Sequence, residues 1–495
     1  MCELYGVAPP GDSTYDCQIQ STALRSRPMG AEQMMQRSFT FEDQDDVVIF
    51  RDPAFEQNKR HAIHRWVPWI AGFSADFVVD ALRRYLPDEA GKNICVLDPF
   101  AGVGTTLVES IRHGYNAIGF EINPFAALAA RVKCTAFLLD PASVRAHIVT
   151  FEQRARRLTK AIDQAWARGD DLARLLPAPA SRPPAAFRSR VPFFSPAVER
   201  KVLHCLDLIH AVPDPQVRDL MLLAFGSILV HVSNYSYEPS LGSRSAVGKA
   251  DVLNADVAGL LSARLYDMEH DIIVYRRDMM QFQPLPEGKV INDDSRQVRH
   301  ILPDSSIDIV ITSPPYLNNY HYVRNTRPHL FWLNFVSQPK DLKRFEEANF
   351  GKYWQTVRDK ETPKLLFSLI DLEQNAEEIA SKNQEKGFYG GKGWANYVIE
   401  YFNDCYRMNQ NLYHVLKPGS RAVFVVGNSI IQGVNVRTDQ FLGKIGEICG
   451  LELETIQILR EKRVGNSIIN SSVRNGKSHH STLYEAAVVM RKPAL

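Results

Sequence analysis

The sequence predicts an α/β fold whose mostly parallel sheet is interrupted by a helical insert between the second and third motif-bearing strands. Two stretches carry that prediction. Val96-Leu97-Asp98 ends an apolar strand and runs through Pro99-Phe100-Ala101-Gly102-Val103-Gly104-Thr105 into a helix, so strand, glycine turn and helix follow in direct succession. Ile307-Asp308-Ile309-Val310-Ile311 reads as a buried parallel strand, and Thr312-Ser313-Pro314-Pro315-Tyr316 stops it with two prolines and an aromatic ring. Turns at the carboxyl ends of parallel strands are where open α/β sheets bind ligands.

In chain order, residues 1–45 are rich in Gly, Ser, Thr, Gln and Pro without hydrophobic period and read as a flexible arm. His64 to Ser74 leads into a helix over Ala75–Tyr85, with Trp66 and Trp69 as packing residues. The first strand is Asn93–Leu97. Gly102 and Gly104 permit a tight turn and close backbone approach to a ligand, and a helix follows over Thr106–His113. Asn116 to Glu121 is a second strand. It ends in a carboxylate 23 positions after Asp98, placed to accept hydrogen bonds from a ribose. The glycine spacing is not GxGxxG, which disfavours a dinucleotide, and no GxxxxGK[ST] occurs. Asn123-Pro124-Phe125 opens a helix to Lys133, with Phe125 against either an adenine ring or the core.

Residues 136–287 form the insert. Helices are expected over Val144–Leu175, Pro196–His210, Pro215–His231 and Leu253–Arg277. A Pro/Ala/Arg-rich connection carries Arg182, Arg188 and Arg190, and a polar, aromatic loop runs through Ser233–Tyr237 and Gly242–Ser245. Arginines and aromatics among Ser and Asn suit phosphate and base contacts, which makes Arg188, Arg190, Tyr235 and Arg244 candidates. An ordinary solvated loop is the competing reading.

Lys289–Ser295 reads as a third strand with acids at its tip. The prolines of the second stretch lack N–H groups, so carbonyls there can take hydrogen bonds from a substrate amino group, and Tyr316 can stack on a flat ring. Leu317–Tyr322 is a polar loop over that turn, with Asn318 and Tyr320 as substrate candidates. A helix over Arg324–Phe335 precedes a charged surface excursion or lid, 336–395. A helix over Tyr397–Leu416 closes at Lys417-Pro418-Gly419, and strands follow over Arg421–Gly427, Glu452–Arg460 and Tyr484–Met490. The loop Lys462–Ser481 is basic, with Arg463, Arg474 and Lys477 facing nucleic acid or plain solvent.

Asp98–Thr105 and Ser313–Tyr316 together resemble the DPFxGxGT and [DNS]PP[YFW] motifs of the S-adenosylmethionine-dependent amino methyltransferases of DNA. The resemblance covers roughly residues 60–135 and 288–490 and leaves the insert uncovered. It implies a Rossmann-like methyltransferase sheet, with a catalytic domain made of residues 46–135 and 288–495. It implies S-adenosylmethionine as cofactor, held by Phe73, Ser74, Asp98, Pro99, Phe100, Gly102, Gly104, Thr105, Glu121, Ile122 and Asn123, with Asp294 on the adenine amino group. Ser313, Pro314, Pro315 and Tyr316 would form the catalytic turn. The substrate would be double-stranded DNA with one base flipped out and stacked on Tyr316. Serine at the first motif position goes mostly with cytosine N4, Asp or Asn mostly with adenine N6, and adenine stays open. In this chain the insert precedes the third strand, so a target-recognition domain is not carried over by position. The insert is read as the DNA-recognition region on its own residues. RNA and tRNA base methyltransferases use a similar turn. A non-catalytic binding protein is disfavoured by the intact Asp98, Gly102, Glu121 and Ser313–Tyr316. Restriction-linked, regulatory and phage-defence roles all fit, and with them a restriction or defence partner.

The 495 residues allow two or three domains with a large core. A net charge of +2 gives no global pull toward nucleic acid, so local patches must decide. The seven cysteines are scattered without a CxxC pair, which argues against a metal site and for a reducing cytoplasm. None follows a proline, which disfavours the nucleophilic chemistry of cytosine C5 transfer. No apolar run has membrane-spanning length and no signal peptide is read.

Overall fold

The computed structural model describes residues 50–69, 72–86, 94–172, 177–237, 241–318, 320–462 and 482–494. The expected arm 1–45, Asn319, and the basic-loop residues Arg463, Arg474 and Lys477 lie outside the described residues. The chain runs through α1 (Ala75–Tyr85), β1 (Cys95–Asp98), α2 (Thr105–Arg112), β2 (Asn116–Phe120) and α3 (Pro124–Thr135). Next come α4 (Pro141–Ala167), α5 (Pro196–His210), α6 (Pro215–Leu229), the hairpin β3 (Tyr235–Tyr237) and β4 (Leu241–Ser243), and α7 (Val257–Met279). Then follow β5 (Gly288–Ile291), α8 (Val298–Ile301), β6 (Ile307–Thr312), α9 (Tyr322–Trp332), α10 (Lys340–Ala348), α11 (Trp354–Val357), α12 (Ile370–Ala380) and α13 (Gly391–Val415). The last part is β7 (Leu416–Gly427), the hairpin β8 (Ser429–Ile431) and β9 (Val434–Val436), α14 (Thr438–Ile448), β10 (Glu452–Lys462) and β11 (Leu483–Arg491).

Helix starts follow local chemistry. Asn123, Asp140, Ser195 and Asp214 each accept a backbone N–H from the first turn, and each is followed by proline at the first helical position. This pair of signals explains why α4 begins at Pro141 rather than the expected Val144.

The sheet order is β10-β11-β7-β6-β1-β2-β5. β1 pairs in parallel with β2 and β6, β2 with β5, and β6 with β7. β11 runs antiparallel to both β7 and β10, so it alone is reversed. From β1 the chain moves outward to β2 and β5, then crosses back to place β6 on the other side of β1. The strand order therefore reverses between β1 and β6, and a crevice opens there at the carboxyl ends.

Alternate side chains of the sheet bury on opposite faces. Leu97, Val310, Phe424 and Val488 join one apolar cluster with α13 and α14. Val96, Ile309, Ile311, Val423 and Val489 join another with Phe73, Phe77 and Val78. Helices α4 to α7 share a third cluster with α2 and α3, so the helical segment is packed onto the sheet's own helices.

Two expectations are corrected here. The turn Lys417-Pro418-Gly419 does not separate helix from strand but lies inside β7, as an irregularity where pairing jumps from Ile307↔Leu416 to Ile309↔Arg421. α13 begins at Gly391, inside the stretch expected to be a surface excursion or lid, where Gly391 N donates to Lys382 O at 2.8 Å, two residues past the end of α12.

Candidate active site

The ends of β1 and β6 are joined directly. Thr312 Oγ1 donates to Asp98 Oδ1 at 2.6 Å, and Thr106 Oγ1 donates to Ile311 O at 3.2 Å. Asp98 also accepts Phe100 N at 3.0 Å, which fixes the first residue of the glycine turn. Burial pushes its carboxyl up to about 6, against the pull of those hydrogen bonds. Asp98 is therefore a buried brace beneath the turn and not a wall of the cleft.

Above that brace lies a cleft of about 920 Å³, open to solvent. Of the residues expected to hold a cofactor, Phe73, Phe100, Gly102, Thr105, Glu121, Ile122, Asn123 and Asp294 line it, and Ser313 and Pro315 line it from the opposite strand tip. Gly102 has φ 51°, a backbone conformation that favours glycine, and a Cβ there would sit in ordinary contact, 3.5 Å, with Trp69 Nε1. Glu121 turns back onto the glycine turn: Oε2 accepts Gly102 N at 2.9 Å and Oε1 accepts Asn123 N at 2.7 Å. Burial raises its carboxyl to about 7, the two backbone donors oppose this, and the nearby Asp98 adds to it. Asp294 caps the turn after β5 by accepting Arg296 N at 2.9 Å, and it ion-pairs with the Arg296 guanidinium while facing the cleft.

Other expected residues stand elsewhere. Ser74 is fully buried; its Oγ accepts Phe77 N and donates to Asp52 O, so it caps α1 and does not face the cleft. Pro99 is not among the lining residues. Gly104, at φ 87°, serves helix packing rather than a ligand: a Cβ there would lie 2.9 Å from Ala130 Cα on α3. Phe125 is buried and stacks on His329 at 4.2 Å, away from the cleft, so of its two expected places it takes the core.

In the proline turn, Ser313 Oγ donates to Val425 O at 3.0 Å, which spends its proton on β7 and leaves its lone pairs as acceptors. Pro314 is buried. Tyr316 does not line the cleft. Its ring lies over Gly427, where a Cβ would come within 3.3 Å of it. Burial raises its hydroxyl above the usual range, the charge of Glu485 adds, and a hydrogen bond with Ser313 opposes.

The substrate candidates are dispersed. Arg188, Arg190 and Asn318 are exposed. The Tyr235 hydroxyl accepts Arg190 N at 3.0 Å, and Arg244 Nε donates to Ala250 O at 2.7 Å. Tyr320 lines a second cavity of about 910 Å³, together with Phe125, Tyr237 and His329, which shares Trp69 and Tyr322 as walls with the first.

Sequence reasoning missed Trp69, Tyr322, Phe345, Asn349 and Phe350 on the cleft wall. Trp69 packs against the core as expected and also walls both cavities. The available signal for the last three was a pair of aromatics, Phe345 and Phe350, in an otherwise charged stretch.

The DNA methylase family of N6 and N4 type matches residues 31–131, which include the glycine turn and Glu121. The Type II methyltransferase M.BsoBI of Geobacillus stearothermophilus is 23% identical over 498 residues, spanning 89% of this chain and 87% of that one. M.MvaI of Kocuria varians is 23% identical over 70% of this chain and 73% of its own length. M.AvaI of Anabaena variabilis is 22% identical over 89% of this chain and 88% of its own. The matched family and these relatives support an amino-methyltransferase family for this chain. That family implies S-adenosylmethionine as the cofactor. The cleft fits that cofactor: two acids, Glu121 after β2 and Asp294 after β5, line it together with the aromatic rings of Trp69, Phe73, Phe100 and Phe350. Such a set suits a molecule carrying ribose hydroxyls and a flat ring with an amino group.

Among the described residues no group of three or more His, Cys, Asp or Glu is placed to hold a metal ion, and no helix is long and apolar enough to cross a membrane.

Proposed function

We propose that this chain methylates the exocyclic N4 of cytosine in duplex DNA. The coarser statement, an enzyme that methylates an amino group of a DNA base, comes with the family. The observation that carries the finer reading is Ser313 in the first position of the proline turn, lining the same cleft as Gly102 and Glu121. Serine there resembles the cytosine-N4 members, whereas an Asp or Asn would point to adenine.

An exocyclic nitrogen is a poor nucleophile, because its lone pair is delocalised into the ring. Ser313, whose proton is spent on Val425 O, accepts a hydrogen of the amino group. The Pro314 carbonyl accepts the second. Drawing both hydrogens out of the ring plane frees the lone pair, so catalysis is positioning and electrostatics with no covalent enzyme intermediate. The bound cofactor supplies a methyl group on a positively charged sulfur. Phe73, Glu121 and Asp294 would hold the cofactor, and the Tyr316 ring, packed over Gly427, backs the proline turn from outside the cleft. Arg188, Arg190, Tyr235 and Arg244 on the helical segment 136–287 grip the duplex.

The test is methylation of plasmid DNA followed by nucleoside mass spectrometry. N4-methylcytosine that disappears in Ser313→Ala is the expected result. N6-methyladenine would move the target base, and methylation of RNA alone would overturn the duplex reading.

A further inference from the structure

The wall of the cofactor cleft that carries Trp69 and Phe73 is preceded by a turn, Ile63–Trp66, with its own backbone bonds and a strained residue at its head. Ile63 sits at φ 68°, a left-handed conformation that a β-branched residue avoids. Three buried charged side chains from three helices hold the turn. Glu109 of α2 meets His64 Nε2 at 2.7 Å, and Lys133 of α3 donates to His64 O at 3.3 Å. Asp271 of α7 does most. Its Oδ2 accepts Ile63 N at 3.0 Å, Arg65 Nε at 3.1 Å and Trp66 Nε1 at 2.9 Å, and its Oδ1 accepts Arg65 Nη2 at 2.7 Å. Asp271 is 2% exposed and lies more than 200 residues along the chain from its partners.

We infer that Asp271, on a helix of the insert, is a positioning residue for cofactor binding: it fixes the Ile63–Trp66 turn and, through it, Trp69 against the glycine turn. The geometry supports this over a role in general stability alone. All four donors belong to one strained turn, and three residues beyond it Trp69 Nε1 lies 3.5 Å from where a Gly102 Cβ would be. A displacement of Trp69 would move a wall of the cleft beside the glycine turn. A buried carboxylate with four donors is over-determined for a purely structural tie, but it is what a strained turn needs to persist. The inference rests on the cleft being the cofactor site.

Calorimetry with S-adenosylmethionine, alongside steady-state kinetics, tests it on the full chain. In Asp271→Asn one or more of the four bonds is lost and an amide N–H faces donors. The expected result is a cofactor Kd and KM raised at least tenfold, with kcat at saturating cofactor and the KM for DNA within threefold of wild type. Arg65→Met keeps the side-chain stem but removes two of the bonds, and should raise the cofactor Kd about threefold to tenfold. It also decides the matter if Asp271→Asn does not fold. A wild-type cofactor Kd in folded Asp271→Asn, or in Arg65→Met when the first variant does not fold, would overturn the inference. Absence of cofactor binding by the wild-type chain would instead overturn the reading of the cleft, and this inference with it.

Discussion

Thr312 Oγ1 and Asp98 Oδ1, 2.6 Å apart and both fully buried, tie the tip of β6 to the tip of β1. This bond sets the distance between the glycine turn and the proline turn, the two parts that must meet for transfer to occur. Thr312→Val keeps the shape and removes the donor. A buried carboxyl that loses a hydrogen bond costs about 1–3 kcal/mol. The expected outcome is a lowered unfolding temperature together with a weakened cofactor Kd, read by scanning calorimetry and titration. Full stability in the valine variant would mean that sheet pairing and the Thr106 bond to Ile311 O hold the two turns without Thr312.

Ser313→Ala removes an acceptor at the reacting nitrogen and also the bond to Val425 O. A group that acts in the transition state is worth about 10²–10³ in kcat when its geometry is preorganised. The expected result is a loss of kcat on that order, with the cofactor Kd within about threefold of wild type. Single-turnover methylation of a defined duplex separates the two. A loss of cofactor binding with unchanged chemistry would place Ser313 in the cofactor wall instead.

Glu121 gives a pH dependence with two opposite signs. Its carboxyl is raised to about 7 from an ordinary 4.5, chiefly by burial. The folded chain therefore holds a proton through that window which the unfolded chain has released. The contribution of Glu121 to stability is fully present below pH 4.5 and is lost as pH rises through 7. Asp98, raised to about 6, acts in the same direction at lower pH. Cofactor binding runs the other way, because a ribose hydroxyl needs the ionised carboxylate as acceptor. Cofactor affinity should rise between pH 6 and pH 8 while apo stability from this group falls. Glu121→Gln should flatten the affinity profile and weaken binding at pH 8. A flat wild-type profile would remove Glu121 from the ribose contact.

The strand-end motifs were legible because each joins a hydrophobic run to residues with restricted backbones. Glycine at 102 and proline at 314 and 315 fix where the chain turns, and parallel pairing puts both turns at one sheet edge. The lower half of the framework was not legible in the same way. Ser74 reads as polar and near the site, but whether its hydroxyl faces the cleft or caps α1 depends on one side-chain rotamer. Asp98 and Gly104 belong to the motif yet serve bracing and helix packing, which a pattern alone does not separate from ligand contact. Phe345 and Phe350 come from a stretch about thirty residues after the proline turn, and only the tertiary path of α10 and the residues just after it brings them to the cleft. Asp271 carries no local signal at all, because its three partner residues, Ile63, Arg65 and Trp66, lie more than 200 positions earlier in the chain.

The grip on DNA is testable through salt. Arg188 and Arg190 are exposed, and Arg190 is held in place by its backbone bond to the Tyr235 hydroxyl. Arg244 is partly engaged by Ala250 O through Nε, which orients its guanidinium. Each arginine that neutralises a phosphate adds about 0.9 to the slope of log affinity against log salt. Arg188→Glu with Arg190→Glu should therefore weaken duplex binding and lower that slope by roughly 2, and Arg244→Glu should lower it further. The cofactor Kd should not move in either variant, because none of these residues lines the cleft. Asp271→Asn should do the reverse, weakening cofactor binding with the salt slope unchanged. Fluorescence anisotropy on a labelled duplex across a salt series reads the slopes. An unchanged slope in the triple variant would mean that the helical segment does not hold the phosphates, and the basic grip would have to be sought on another surface of the chain.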